Sequence, residues 1–205
     1  MRKFSHGQNS NLWLENILFE LRAKKIVNSL RSINQLEIVA DFGCGYRGKL
    51  LKKIVNIFSG VKSAVGLDLS VNAITPEQKI KLIKTDLNSP LPLADNSFDA
   101  VICSAVIEHL SNYRQALTEI HRLLKNGGYL ILTSPAPQAK NILEFLAFKL
   151  NLLSQAEIAD HKKYFSAQEL KKILQELSFS EIKIKTFQFG FNNLYICKKC
   201  LIWFM

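Results

Sequence analysis

Residues 41–48 read Asp41-Phe42-Gly43-Cys44-Gly45-Tyr46-Arg47-Gly48, and their setting decides the fold. They follow a short apolar run, EIVAD at residues 37–41, and precede a helical period at residues 48–58. Glycines at such a junction let the backbone turn sharply and approach a ligand closely. The helix start behind them offers unpaired N–H groups to a carboxylate or phosphate. The spacing Gly43-x-Gly45-x-x-Gly48 also satisfies a dinucleotide-binding pattern, although a plain tight turn between strand and helix reads the same.

Working outward, apolar runs alternate with helical periods. The strands expected are 37–41, 63–68 (SAVGLD), 80–85 (IKLIKT), 98–104 (FDAVICS) and 129–133 (YLILT). Each is short, continuous and rich in Val, Ile and Leu, as strands buried on both faces are. Helices are expected over residues 11–32, 48–58 and 111–124. The last carries Tyr113, Ala116, Leu117, Ile120, Leu123 and Leu124 on one face, and Asn126-Gly127-Gly128 reads as its left-handed cap. A further helix begins at Ser166, where Ser166 and Glu169 form a capping box and Phe165 and Leu170 a hydrophobic staple. Residues 181–189 and 193–197 return to strand around Gly190, which predicts an antiparallel hairpin on the sheet edge. Residues 70–79 contain Pro76 and make a poor helix, so the second crossover is expected to be irregular. The alternation specifies an α/β fold: a doubly wound, Rossmann-like, mostly parallel sheet with helices on both faces.

A chain of 205 residues fits one domain, and its 48% hydrophobic and 21% charged composition excludes intrinsic disorder. The formal net charge of +10 is spread along the chain rather than gathered in a basic tail. A Lys-rich soluble surface therefore explains it better than nucleic-acid binding does. The polar residues after Arg2 and Lys3 do not make a signal peptide. A cytoplasmic protein with reduced Cys44, Cys103, Cys197 and Cys200 is expected. Cys197-x-x-Cys200 is half of a zinc site with no second pair.

Three successive strands end in an acid: Asp41, Asp68 and Asp86. Ligands of open α/β sheets bind at those carboxyl ends, where an acid such as Asp68 can accept both hydroxyls of a ribose. Asp86 is placed to accept an adenine amino group, with Leu69 and Leu87 flanking the ring. A turn or cap explains any one of these acids; it explains the three together poorly.

Residues 37–135 resemble the class I S-adenosylmethionine-dependent methyltransferases, in particular the type-11 branch. The matching pieces are VADFGCG (39–45), VGLDLS (65–70), IKTDL (83–87), LADNSFDAVICSAVIEHL (93–110) and LTEIHRLLKNGGYLILTSP (117–135). The resemblance implies a seven-stranded sheet with its last strand antiparallel, and S-adenosyl-L-methionine as cofactor. It implies that Asp41, Gly43 and Gly45, with Cys44 between them, hold the methionine part. Asp68 would bind the ribose hydroxyls, Asp86 with Leu87 the adenine, and Cys103 and Ser104 would lie beside the cofactor. One departure is Arg47 where the family has its third glycine; Gly48 comes one residue later.

A sulfonium methyl group is already activated, so positioning supplies much of the acceleration. A general base is needed only when the acceptor must lose a proton early. His109, in Ile107-Glu108-His109-Leu110, and His161, in Asp160-His161-Lys162-Lys163-Tyr164, are the two catalytic candidates. A hydrogen-bonded helix-start His and a surface-loop His are the corresponding structural readings. Ubiquinone-type O-methyltransferases have Glu-x-x-Glu-His at the first position and are associated with a divalent metal. Here Ala105 replaces the first acid, and no metal is expected.

Residues 142–153 are apolar on nearly every side, with Glu144 and Lys149 interrupting. They are expected to pack under the N-terminal helix, to cover an apolar substrate, or to touch a membrane, and the tail 201–205 is apolar as well. The chain is thus laid out as a helical cap (1–35), a cofactor-binding core (36–135), a substrate lid (136–165), and a last helix with the edge hairpin (166–205). The reading is transfer of a methyl group to O or N of a small-molecule acceptor, lipid-linked or glycan in character. The alternatives are a non-catalytic partner protein that keeps the fold and, favoured only by the glycine spacing, a nicotinamide-dependent oxidoreductase.

Overall fold

The computed structural model describes residues 13–72 and 78–200. Pro76, most of the second crossover, and the tail 201–205 lie outside the described residues. Seven strands form one sheet: β1 (Ile38–Phe42), β2 (Ser63–Asp68), β3 (Ile80–Lys84), β4 (Phe98–Ser104), β5 (Leu124–Pro135), β6 (Phe179–Phe187) and β7 (Asn192–Lys199). Their order is β3-β2-β1-β4-β5-β7-β6. β1 to β5 pair in parallel, while β7 runs antiparallel to both of its neighbours. The predicted hairpin is therefore present, with β6 as the sheet edge and β7 inserted beside β5.

The helices flank this sheet: α1 (Trp13–Leu30), α2 (Lys49–Ile57), α3 (Tyr113–Leu123), α4 (Ala139–Glu144), α5 (Gln155–Ala159) and α6 (Ala167–Glu176). Alternation along the strands divides the core into two layers. Val39, Ala100, Ile102 and Ile131 face one side with Ile26, Leu30, Leu51 and Ile54 of α1 and α2. Ala40, Val101, Cys103 and Leu130 face the other side with Leu117, Ile120, Leu170 and Leu174 of α3 and α6. Period 2 in the strands and period 3.6 in the helices thus meet as three packed layers.

Helix ends follow local chemistry. Asn112 accepts a hydrogen bond from Gln115 N–H and starts α3. Ser166 accepts from Glu169 N–H and starts α6. The Glu169 carboxylate, read from sequence as the return half of a capping box, forms an ion pair with Lys163 at 2.7 Å. Phe165 and Leu170 are both fully buried beside it.

The end of α3 differs from expectation. The helix stops at Leu123, and β5 begins at once at Leu124. Asn126-Gly127-Gly128 is an irregularity inside β5, between the pairs Phe98–Leu124 and Ala100–Tyr129. Tertiary pairing overrides the cap signal here. A Cβ on Gly128 would meet the carbonyl oxygens of Lys125, Asp99 and Phe98 at 2.9–3.2 Å, so close approach of two strands demands glycine.

Asp99 pins the sheet at this same end. Its Oδ2 accepts from the backbone N–H groups of Glu37 and Ile38 at 2.9 and 2.7 Å, and its Oδ1 accepts from Lys125 Nζ at 2.6 Å. Burial raises the carboxyl pKa, but the Lys125 and backbone hydrogen bonds outweigh it and hold the group below its ordinary value. A depressed folded-state pKa stabilises above the unfolded carboxylate value and ceases to do so as pH falls through the folded value. Asp99→Ala should cost about 1–3 kcal/mol at pH 7. In urea melts this difference from wild type should shrink as the pH drops below the normal carboxylate range.

Candidate active site

β1 lies between β2 and β4, and the chain leaves it first toward β2 and later returns on the β4 side. The strand order reverses there, which opens a crevice at the carboxyl ends. The glycine loop closes its floor. Gly43 and Cys44 N–H groups both donate to Leu67 O, at 2.7 and 3.2 Å, and Gly45 N–H donates to Asp68 Oδ2 at 2.9 Å. Asp68 Oδ1 accepts from Ser70 N–H at 3.2 Å. The loop is thereby tied to the end of β2 by three backbone donors.

Of the residues expected at the cofactor, Gly43, Gly45, Asp68, Leu69, Asp86 and Leu87 line the resulting cleft, while Asp41, Cys44, Cys103 and Ser104 are not part of its lining. Asp86 Oδ1 also accepts from Asn88 N–H at 2.9 Å, forming the turn after β3. Asp41 is buried at the end of β1, and its Oδ1 has no hydrogen-bond partner among the described residues. Burial, and then the nearby Asp68, push its pKa well above the usual carboxylate value.

Cys44, Cys103 and Ser104 stand behind this lining. The Cys44 thiol packs toward Gly66, where an added Cβ would sit 2.7 Å from Sγ. Cys103 belongs to the core on the α3 and α6 side. Ser104 Oγ lies 3.2 Å from Thr133 Oγ1.

Ala105, Val106 and Leu110 complete the wall together with His109. The first three were not expected from sequence. Ala105 has φ of 55°, an uncommon left-handed setting for alanine, and it turns the chain over the cleft. Val106 presses on the glycine loop: a Cβ on Gly43, whose φ is 77°, would fall 2.2 Å from Val106 Cγ2.

The two histidines, 52 positions apart in sequence, come together. A 3₁₀ turn, Ile107–His109, follows β4. Residues 160–164 dock on it: Lys162 N–H donates to Glu108 O at 2.8 Å, and Lys162 Nζ donates to His109 O at 2.6 Å. The rings of His109 and His161 meet edge to face at 4.6 Å. His109 Nδ1 lies 3.1 Å from Asp160 Oδ2, and His161 Nδ1 lies 2.7 Å from Tyr164 Oη.

Burial lowers the His161 pKa to about 4 against the opposing pull of Asp160, so the ring is neutral at pH 7. Burial raises Tyr164 to about 12, with Glu144 and Glu108 adding to it. Glu108 is buried, and desolvation lifts its pKa to about 7 against its own backbone hydrogen bond and Arg22 of α1.

A second cavity of about 550 Å³ opens beside this group, lined by Glu144, Phe148, Ile158, His161 and Tyr164 among others. Its upper wall is the 142–153 segment, in which α4 runs into a π-helical turn, Phe145–Lys149. Of the three expected placements, burial under the N-terminal helix does not hold for most of the segment. Ile142, Phe145, Phe148 and Leu150 are exposed, while Ala147 and Leu153 are buried. Among the described residues, no helix is long and apolar enough to cross a membrane.

Residues 40–132 match the model of a methyltransferase domain. An uncharacterised protein of Methanocaldococcus jannaschii is 41% identical over 98 residues, covering 46% of this chain and 39% of its own. Demethylmenaquinone methyltransferase of Bacteroides fragilis is 26% identical over 137 residues, covering 60% of this chain and 56% of its own. The chain spans about half the length of the curated relatives it matches. Among solved structures, the protein bound to the Trm112 methyltransferase activator of Haloferax volcanii superposes with a TM-score of 0.72 at 16% identity, over 92% of this chain and 94% of that one.

Two outcomes test the geometry. Gly43→Ala should destabilise the protein by about 1–3 kcal/mol in denaturant melts, because it combines left-handed strain with a clash in a packed wall. Alkylation of the native protein should modify Cys200 alone. Cys200 is exposed, whereas Cys44, Cys103 and Cys197 are buried and burial pushes all three thiols up.

Proposed function

We propose that this chain, whose residues 40–132 match the model of a methyltransferase domain, moves a methyl group from S-adenosylmethionine to an O or N atom of a small-molecule acceptor by in-line displacement. The observation that carries this reading is the row of acids. Asp41 within β1, Asp68 at the end of β2 and Asp86 just after β3 stand at the carboxyl ends of three adjacent parallel strands, with the Gly43–Gly45 loop between the first two.

The cofactor is S-adenosyl-L-methionine, and its chemistry is a sulfonium that makes the methyl carbon electrophilic. The residues fit that ligand in charge and shape. Asp41 Oδ1 is a buried acceptor without a partner among the described residues, which an ammonium group would satisfy. Asp68 stands at the crevice with its carboxylate oriented by Gly45 and Ser70, suited to a pair of ribose hydroxyls. Asp86 would accept the adenine amino group, and Leu69 and Leu87 would flank the ring. The free volume in the cleft is about 80 Å³. Ligand pockets usually hold about 300–1,000 Å³, so a cofactor seated here would require the wall at Val106 and Leu110 to draw back.

On the acceptor side, residues 136–165 act as the lid over the second cavity. Its lining sets Lys140, Glu144, Lys162 and Lys163 beside Phe148, Ile158, His161 and Tyr164, which suits an acceptor that carries polar or anionic groups as well as an apolar part. The demethylmenaquinone methyltransferase relative supports an acceptor of lipid-linked character. The exposed Ile142, Phe145, Phe148 and Leu150 would then bring the lid against the lipid surface from which such an acceptor is drawn. Of the two histidines, His109 is the one placed to contact an acceptor beside the cofactor. It lines the cofactor cleft and is oriented by Asp160, whereas His161 is held at a pKa too low to take a proton well.

Calorimetric titration with S-adenosylhomocysteine should give micromolar-range binding. Asp68→Ala should weaken it about 10–100-fold, the worth of one or two hydrogen bonds to a charged group. Binding of NADH in its place would overturn the assignment. Binding of neither would favour the non-catalytic partner reading.

A further inference from the structure

We propose that Glu108, His109 and His161 form a binding site for one divalent transition-metal ion of the zinc type, at the junction of the cofactor cleft and the second cavity. One ligand atom from each of these residues lies within 4.8 Å of the others. Two of the residues come from the turn after β4 and one from the segment docked on it, so the site exists only in the folded chain.

The strongest single observation is Glu108. Its side chain is 1% exposed, and its Oε2 has no hydrogen-bond partner among the described residues. A buried carboxylate oxygen left without a donor costs about 1–3 kcal/mol or more unless something compensates it. Arg22 of α1 acts on it electrostatically without supplying that bond.

The second observation is the support behind the imidazoles. Metal-bound histidines almost always engage their other ring nitrogen with a carboxylate or another oxygen, which fixes the ring orientation. His109 Nδ1 faces Asp160 Oδ2 at 3.1 Å, and His161 Nδ1 faces Tyr164 Oη at 2.7 Å. Both rings are therefore held through Nδ1 by oxygens of the docked segment.

Distance and donor type set the class of ion. Bonds of about 2.0–2.2 Å in a tetrahedral site place ligand atoms about 3.4 Å apart. The present spread of up to 4.8 Å closes with small side-chain rotations. Two imidazole nitrogens and one carboxylate suit Zn²⁺ and its first-row neighbours; Mg²⁺ and Ca²⁺ call for oxygen ligands. Three protein ligands leave a fourth position open. His109 lines the cofactor cleft and His161 the second cavity, so that position faces the place where an acceptor's polar atom would reach. Ion binding itself does not depend on the methyltransferase reading; the use of the open position does.

The test is zinc titration of the whole chain against a chromophoric chelator, with cobalt absorption as the geometric readout and Mg²⁺ as the comparison ion. One Zn²⁺ per chain is expected, with a tetrahedral cobalt spectrum and no competition from Mg²⁺. Glu108→Gln, nearly isosteric, and His161→Gln should each abolish the spectrum. Asp160→Asn, which removes only the orienting carboxylate, should weaken zinc about 10–100-fold. Cys200→Ser should change nothing. Circular dichroism identifies a variant that fails to fold, in which case Glu108→Gln and Asp160→Asn decide. Substoichiometric zinc, or zinc that survives both Glu108→Gln and Asp160→Asn, or zinc lost in Cys200→Ser, would overturn the site. S-adenosylhomocysteine titration of the same preparations reads out the cofactor site separately, so the failure of one proposal leaves the other visible.

Discussion

The hydrogen bond from Gly45 N–H to Asp68 Oδ2 holds the working edge of the molecule together. It fastens the loop after β1 to the end of β2, and the two further bonds from Gly43 and Cys44 to Leu67 O lock the same joint. Parallel pairing of β1 with β2 brings the two strand ends level, Asp41 opposite Gly66 and Phe42 opposite Leu67. The return of the chain on the far side of β1 opens the crevice. Two acids then stand close in a buried place, and the rise of the Asp41 pKa is the energetic trace of that crowding. Burying two acids together is costly, and a cationic ligand at this place would offset the cost.

Much of this was legible in the sequence because each signal was local. β2 and β4 begin and end where the apolar runs at 63–68 and 98–104 do. The serine at position 166 and the asparagine at position 112 act as caps through bonds within one turn. The failures arise where a distant partner decides. Asn126-Gly127-Gly128 carries every mark of a helix cap, yet it serves the approach of β5 to Phe98 and Asp99. The 142–153 segment looked like core by composition, but its Phe145 and Phe148 face outward.

The candidate site divides along the same line. Asp68, Leu69, Asp86 and Leu87 follow directly from the ends of strands, so the lining of the cleft could be read in advance. Ala105 and Val106 could not: nothing in an alanine-valine pair signals a left-handed turn that closes a cleft. His109 and His161 were separate candidates in sequence. Their meeting depends on residues 160–164 docking on the turn after β4 through the Glu108 and His109 carbonyl groups. The same docking makes Glu108 a buried acid with a neighbour on each side, which its place in the sequence did not suggest.

The central claim is that the glycine loop and the ends of β2 and β3 receive the cofactor. The most direct measurement is the map of backbone amide shifts in ¹⁵N-labelled protein on addition of S-adenosylhomocysteine. The account predicts the largest changes at Gly43, Gly45, Leu69 and Leu87, with Ala105 and Val106 following as the wall moves, and little change along β6. Shifts concentrated on the edge hairpin or on the exposed face of residues 142–150, with the glycine loop silent, would contradict it.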